Sequence, residues 1–281
     1  MIVNMATPDP GSIPVRDAAT VMLVRDGGAG LEVFMLRRNL KSDFVGGAYV
    51  FPGGAVDPED AMGDVEQWCA GRADRDASLL LEVESGGLAY WVAAIREAFE
   101  EAGLLLAVDS SGAPLRFDDD EVNERFLLHR QAVDDGRMAM STLCELENIT
   151  LRVDRMGYFS RWVTPLGAPR RYDTRFFVAH APEGQVPLHD DVEVIANLWI
   201  RPADALDRFA RGDFQLIFPT VRSLEALTQF ERADDVVEHA HAMSRVDAIV
   251  PRIEESDSGL RIVLPNDEVY DAVTARRLDP A

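Results

Sequence analysis

The chain predicts a mixed-sheet fold of the α/β or α+β class, and three observations carry that expectation. Strand-like and helix-like stretches are interspersed without the strict alternation of a parallel α/β protein. Three short apolar runs separated by glycine and proline precede the first strong helical pattern, which begins near residue 88. With 281 residues, 47% hydrophobic and 27% charged, the chain can bury a sizeable core as one large domain, or as one domain with a smaller addition.

Residues 1–16 read as a flexible lead-in, because Pro8, Pro10, Gly11 and Pro14 interrupt any regular element. They lack the cationic-then-apolar pattern of a secretory signal, so none is expected. Ala18 to Val24 reads as a strand, Gly27 to Gly30 as a turn, and the alternating Leu31 to Leu36 as its hairpin partner. Ala48 to Phe51 is a further strand, stopped by Pro52-Gly53-Gly54. Residues 57–87 are acidic and loop-like, with a short helix around Val65 to Cys69. A helix runs from Leu88 to Ala102, with Val92, Ile95, Phe99 and Ala102 at helical spacing and Gly103 as its stop.

Helices are also expected at 118–137 and 141–148, at Pro202 to Arg211, and from Pro219 to Arg232. Strands are expected at Tyr158 to Thr164, Thr174 to His180 and Asn197 to Ile200, and short strands near 250–253 and 260–264. Residues 17–232 thus form the main domain, with a C-terminal extension over 233–281. Trp162 and Trp199 fall in strand patterns and read as core.

Charge narrows the function. Lys and Arg total 28 against 49 Asp and Glu, a formal net charge of −21. Such a surface repels phosphate backbones, which disfavours nucleic acid and anionic membranes as partners. Two cysteines, Cys69 and Cys144, are too few for a disulfide framework and suggest a reduced, cytoplasmic chain. No apolar run approaches the ~18 residues of a membrane span. A small phosphorylated substrate held through a cation remains compatible, and that requires clustered carboxylates.

Glu97, Glu100 and Glu101 supply such a cluster. Their i, i+3, i+4 spacing puts all three on one helix face, roughly opposite Val92, Ile95 and Phe99. Like charges so placed cost about 0.2–0.5 kcal/mol per pair, and the last turn of a helix favours cations over anions. A divalent cation turns that cost into affinity, and oxygen-only ligands suit Mg²⁺ or Mn²⁺. The same spacing also describes a solvated acidic face. No His or Cys pair has the spacing of a zinc site.

The flanking residues decide between these readings. Gly54, Asp60, Arg96, Glu97, Ala98, Glu100, Glu101, Gly103 and Leu104 resemble the Nudix box, G-x5-E-x7-R-E-U-x-E-E-x-G-U with U apolar. Asp60 stands where the box has Glu, and 35 residues separate it from Arg96 where the box has 7. An insertion at this point resembles the peroxisomal coenzyme A diphosphatases and their bacterial relatives. The similarity extends to Arg37-Arg38, Gly47 to Gly54, Trp162 to Pro165, Asp173 to Phe177 and Phe218 to Thr220, so it runs from about residue 17 to about 230. Some coenzyme A hydrolases carry R-S-x3-R-x3-G-x3-F-P-G-G upstream. Arg38, Gly47 and Phe51 to Gly54 fit it, but Asn39 replaces the Ser and Asp43 the second Arg.

The resemblance implies a Nudix-type α/β/α sandwich with a mixed sheet, an insertion at 61–87 and an added helical segment at 118–148. It implies metal-dependent hydrolysis of a nucleoside diphosphate derivative, most of all coenzyme A or an acyl-coenzyme A. ADP-ribose, a dinucleotide or a nucleotide sugar is the alternative substrate, and a catalytically silent binding module the alternative role. Glu100 and Glu101 become the main metal ligands, helped by the Gly53 carbonyl. Glu97 becomes a further ligand or the group that orients water, with Arg96 as anchor. Glu193, in the acidic stretch before Trp199, is the candidate for one more catalytic carboxylate, or else part of a polar loop capping a strand. Arg38, Arg170, Arg171 and Arg175 either bind substrate phosphates or pair with neighbouring acids. The insertion is expected to pack through Trp68 and Leu79-Leu80-Leu81, acids outward, against the chain or a second copy of it, without disturbing the metal site. A homodimer is thus left open.

Overall fold

The structure, a computed structural model, describes residues 13–39, 46–62, 64–188, 194–257 and 259–278. The chain opens with strands β1 (Val15–Gly27), β2 (Gly30–Arg38), β3 (Tyr49–Val50) and β4 (Gly53–Ala55). Helices α1 (Asp74–Leu81) and α2 (Leu88–Ala102) follow, then β5 (Ala107–Val108), α3 (Asp120–Asp134), α4 (Met140–Glu147) and β6 (Thr150–Leu151). Next come β7 (Met156–Val163), β8 (Arg171–His180), β9 (Val194–Ile200), α5 (Pro202–Ala210), α6 (Phe218–Leu227) and α7 (Ala233–Ala242). The short strands β10 (Ala248–Ile249), β11 (Arg252–Ser256), β12 (Gly259–Val263) and β13 (Val269–Asp271) end the described chain.

The central sheet is mixed, in the order β10-β7-β8-β1-β2-β3, with β4 also pairing β1 and β9 also pairing β2. β1 lies at its centre, parallel to β8 and antiparallel to β2. Successive strand residues point to opposite faces, so a central strand covered on both sides must be apolar throughout. The run from Ala18 to Val24 meets that demand. Ala19, Val21 and Leu23 join a core with Trp91, Ile95 and Phe99 of α2. Met22 and Val24 join the opposite core, with Leu224 of α6 and Val236 of α7. The result is the expected three-layer α/β/α sandwich.

Several expectations shift. Gly53 and Gly54 do not merely end a strand: Gly53–Ala55 pairs with Ala18–Thr20 of β1. The 57–87 segment is more ordered than its composition suggests. The short helix expected around Val65 to Cys69 is present as a 3-10 helix over Val65–Trp68, whereas α1 was not foreseen. α1 has only eight residues, three of them charged, and its helical form depends on burying Ala77 and Leu81. Leu80 and Trp68 pack against the core as expected, whereas Leu79 is exposed. The helix expected at Pro219 to Arg232 stops at Leu227, and the sequence reading missed α7, whose Val236, Val237 and Ala240 cover the second face of the sheet. The tail strands form their own sheet, β11-β12-β13. Trp162 is buried in the second core and Trp199 packs on Phe34, as expected. Among the described residues no helix is long and apolar enough to cross a membrane.

Candidate active site

α2 carries the site, and its first half explains its position. Leu88 to Ile95 are buried on every side, so this half is locked between the sheet and α1. Its N-terminus begins at Gly87, which has no capping side chain, and α1 supplies the cap. Asp74 accepts hydrogen bonds from the Gly86 and Leu88 amides at 3.0 and 2.9 Å, and Ser78 Oγ accepts one from the Gly87 amide at 2.9 Å. The insertion thus completes the N-terminus of that helix, at the end away from Glu97, Glu100 and Glu101. At the other end Gly103 turns left-handed (φ 68°), and Arg130 Nε of α3 donates to the Glu100 carbonyl at 2.9 Å.

The second half of α2 presents its charges. Arg96 Nε donates to Asp60 Oδ1 at 2.8 Å and Nη2 to Asp60 Oδ2 at 3.1 Å, a bidentate pair. Nη2 also donates to the Ala55 carbonyl at 2.8 Å, and Nη1 to Glu97 Oε1 at 2.9 Å and Glu100 Oε2 at 2.8 Å. Asp57 stands 3.5 Å away. Glu101 Oε2 accepts from the Gly53 amide at 3.0 Å. A Cβ on Gly53 would lie 2.6 Å from the Ala19 carbonyl oxygen, so it must be glycine, and one on Gly54 would lie 2.4 Å from Glu97 Oε1 and displace that carboxylate.

One guanidinium thus faces four carboxylates, and the imbalance shows in their protonation. Burial pushes the Glu97 carboxyl up to about 7 and the Glu100 carboxyl up to about 8, although Arg96 pulls both down. Burial also raises Asp60, against the opposing Arg96 hydrogen bond. Burial works against the charge on Arg96, but its bonds to Asp60 and the surrounding acids outweigh that and hold it protonated.

This donor set fits a hard divalent cation. It is all oxygen, and its carboxyls are reluctant to ionise until more positive charge arrives. Among the described residues, no three acidic, imidazole or thiol groups converge on one point. The carboxylates instead ring Arg96.

The structure brings Arg96, Glu97, Glu100, Glu101 and Gly53 together. Gly53 meets Glu101 through its amide, a contact the sequence did not suggest. Arg38 lines a cavity of about 270 Å³ that opens beside Gly53. Arg170 is exposed, and Arg171 donates to the Thr164 carbonyl at 3.2 Å. Of the two roles left open for Arg175, binding substrate phosphate does not fit and pairing with neighbouring acids does: it is 1% exposed and ion-paired with Asp173 at 2.9 Å and Asp17 at 3.2 Å. Glu193 and Asp43 lie outside the described residues. Sequence reasoning undervalued Asp60. Its signal was present, since it lies six residues after Gly54, where the box places its first acid.

Sandwich topology, carboxylate helix and glycine strand together define a Nudix fold and site. Residues 73–227, just over half of the chain, match the model of the NUDT19 Nudix domain. The chain belongs to this NUDT19 branch of the Nudix hydrolases. It is 27% identical over 301 aligned positions to the acyl-coenzyme A diphosphatase NUDT19 of Gallus gallus, covering 91% of this chain and 79% of that one. The human protein of the same name is 26% identical, with 86% and 72% covered. The crystal structure of a Nudix hydrolase from Alicyclobacillus acidocaldarius superposes with a TM-score of 0.66 at 27% identity, over 81% of this chain and 97% of that one.

Proposed function

We propose that this protein hydrolyses the diphosphate linkage of coenzyme A or an acyl-coenzyme A with the help of Mg²⁺ or Mn²⁺. The observation that carries this reading is the Glu97-Glu100-Glu101 face gathered around Arg96 and against Gly53. The likeness to proteins named acyl-coenzyme A diphosphatase supports the substrate class.

Glu97, Glu100 and Glu101 would hold the cation, whose chemistry when bound is to neutralise diphosphate charge and acidify a water. Arg96 fixes Glu97 and Glu100 in one orientation and is itself fixed by Asp60 and the Ala55 carbonyl. Glu97 Oε1 is tied to Arg96, which leaves Oε2 to take the proton of the attacking water. Burial holds that carboxyl up to about 7 without a cation, and a bound cation would lower it, leaving a carboxylate that can accept the proton. Glu193 stands as a second candidate base. Arg38, beside Gly53, is the foremost candidate to meet a substrate phosphate, with Arg170 and Arg171 behind it.

Residues 17–232 are taken as the catalytic unit, carrying an extension from residue 233. Cys69 and Cys144 are free, and burial pushes both thiols up to about 12. Such inert thiols suit a reducing, cytoplasmic compartment.

The test is a panel of free and acylated coenzyme A, ADP-ribose, a dinucleoside polyphosphate and a nucleotide sugar. Each is incubated with Mg²⁺ or Mn²⁺ and the products are weighed. The expected products are 3′-phospho-AMP and phosphopantetheine or its S-acyl thioester. Turnover confined to ADP-ribose or the dinucleotide would overturn the assignment.

A further inference from the structure

The cavity beside Gly53 has a wall that the sandwich does not supply. Its floor comes from the sheet and the start of α6, with Phe51, Trp162 and Phe218 among the lining residues. Its remaining side is closed by the β11–β12 hairpin. Ile253 and Ile262 are direct cross-strand partners, so they share one face of the hairpin, and both line the cavity. Ile253 is nevertheless 48% exposed, leaving apolar surface half in water at the cavity rim.

The hairpin is held firmly. Ile262 also pairs with Tyr270 of β13, which is 2% exposed. The Tyr270 ring lies 5.3 Å from Phe218, and Phe218 lies 5.9 Å from Trp162. This aromatic chain ties the small sheet to the cavity floor at edge-to-face separations. The whole hairpin falls outside the residues that match the family model.

The lining selects the kind of group that enters. Arg38, Tyr172 and threonines such as Thr20 and Thr164 line the sheet side, but Pro251, Ile253 and Ile262 make the hairpin side apolar, and the donor and acceptor edges of a purine would be left unpaired against it. A methylene chain presents none and gains about 0.8 kcal/mol for each buried CH₂. We propose that the β11–β12 hairpin is a specificity-determining wall, with Ile253 and Ile262 packing against the acyl chain of the substrate. The proposal rests on the acyl-coenzyme A reading above and adds that the C-terminal extension sets the preference for chain length.

The test compares kcat/KM for free, butanoyl- and decanoyl-coenzyme A in the full-length protein and in Ile253→Asn, Ile262→Asn and Ile253→Leu. In Ile253→Asn the decanoyl-to-free ratio should fall roughly tenfold, carried by KM, while Ile253→Leu should retain it. Ile253 is half exposed, so this variant should fold, and Ile262→Asn repeats the test on the inner face. Hydrolysis with a ratio unchanged in both Asn variants overturns the wall but leaves the diphosphatase assignment standing. If the wild type cleaves no coenzyme A derivative, that assignment fails and binding decides the wall. A spin-labelled decanoate should then quench tryptophan fluorescence saturably, about tenfold more weakly in Ile253→Asn. Absence of saturable quenching overturns it.

Discussion

Two buried arginines sit in carboxylate clusters here, and they do opposite things. Arg175, in β8, pairs with Asp173 of its own strand and Asp17 of β1, and its guanidinium lies over the Tyr90 ring at 4.6 Å. Asp173 is shared with Arg161, which grips it in a bidentate pair at 2.9 and 2.7 Å. Two cations therefore meet two anions, and the cluster clamps β7, β8 and β1 together. Arg96, in contrast, is surrounded by Asp57, Asp60, Glu97 and Glu100. Its acids respond by holding protons toward neutral pH. Burial of an arginine does not by itself mark a functional site. The excess of anions around it does, because a balanced cluster has no use for a further cation and an unbalanced one does.

The sharpest way to break the comparison is to remove each arginine. Arg175→Ala should cost about 3–5 kcal/mol of unfolding free energy, because Asp173 stays largely buried with half of its partners gone. Its loss of stability in urea melts should exceed its loss of kcat. Arg96→Ala should show both losses, since the carboxylates it orients are the proposed ligands. Equal profiles for the two variants would erase the distinction drawn between them.

Next in size are the ligands themselves. Glu100→Gln and Glu101→Gln should each lower kcat by about 10²-fold or more, with the fold retained. Near neutral pH Glu100 already holds its proton in the metal-free protein, so Glu100→Gln should melt no lower than the wild type. Near-wild-type turnover in either variant removes the metal assignment.

A smaller effect follows from linkage. Glu97 and Glu100 hold protons in the folded state at pH values where the unfolded chain has released them. Between pH 6.5 and about 8 the native state therefore binds more protons than the unfolded state. Stability drawn from those protons is lost as pH rises through about 7 and about 8. His241, whose pKa is lowered first by burial, acts in the opposite direction but only below its ordinary 6.5. Without metal, Tm should fall across this window, and saturating Mg²⁺ or Mn²⁺ should flatten the fall by favouring the ionised carboxylates. A metal-free Tm that rises across the window contradicts the anion-excess picture.

The smallest expected effect concerns the support of α2. Asp74→Ala should cost about 1 kcal/mol, because the Gly86 and Leu88 amides lose their acceptor. Thermal melts would show it. No change in Tm would mean that α1 does not cap the helix in solution.

Sequence alone determined a good deal. The apolar run Ala18 to Val24, the alternation of Leu31 to Leu36, the spacing of α2 and the stop at Gly103 are local signals, and they gave a mixed-sheet class and the acidic helix face, while the sandwich came from the resemblance to the Nudix box. Glu97, Glu100 and Glu101 were legible because i, i+3, i+4 geometry needs only a helix. Other features were decided by contacts between residues far apart in the chain, which no local pattern encodes. Asp60 reaches Arg96 across the insertion, Asp74 caps a helix that begins fourteen residues later, and Gly53 faces Glu101 only because β4 pairs with β1. Charge type was visible at Arg96 and Arg175 alike. Which of them would be outnumbered depended on the packing of α2 against the glycine strand and of β8 against β1, because charge balance is a property of a three-dimensional neighbourhood.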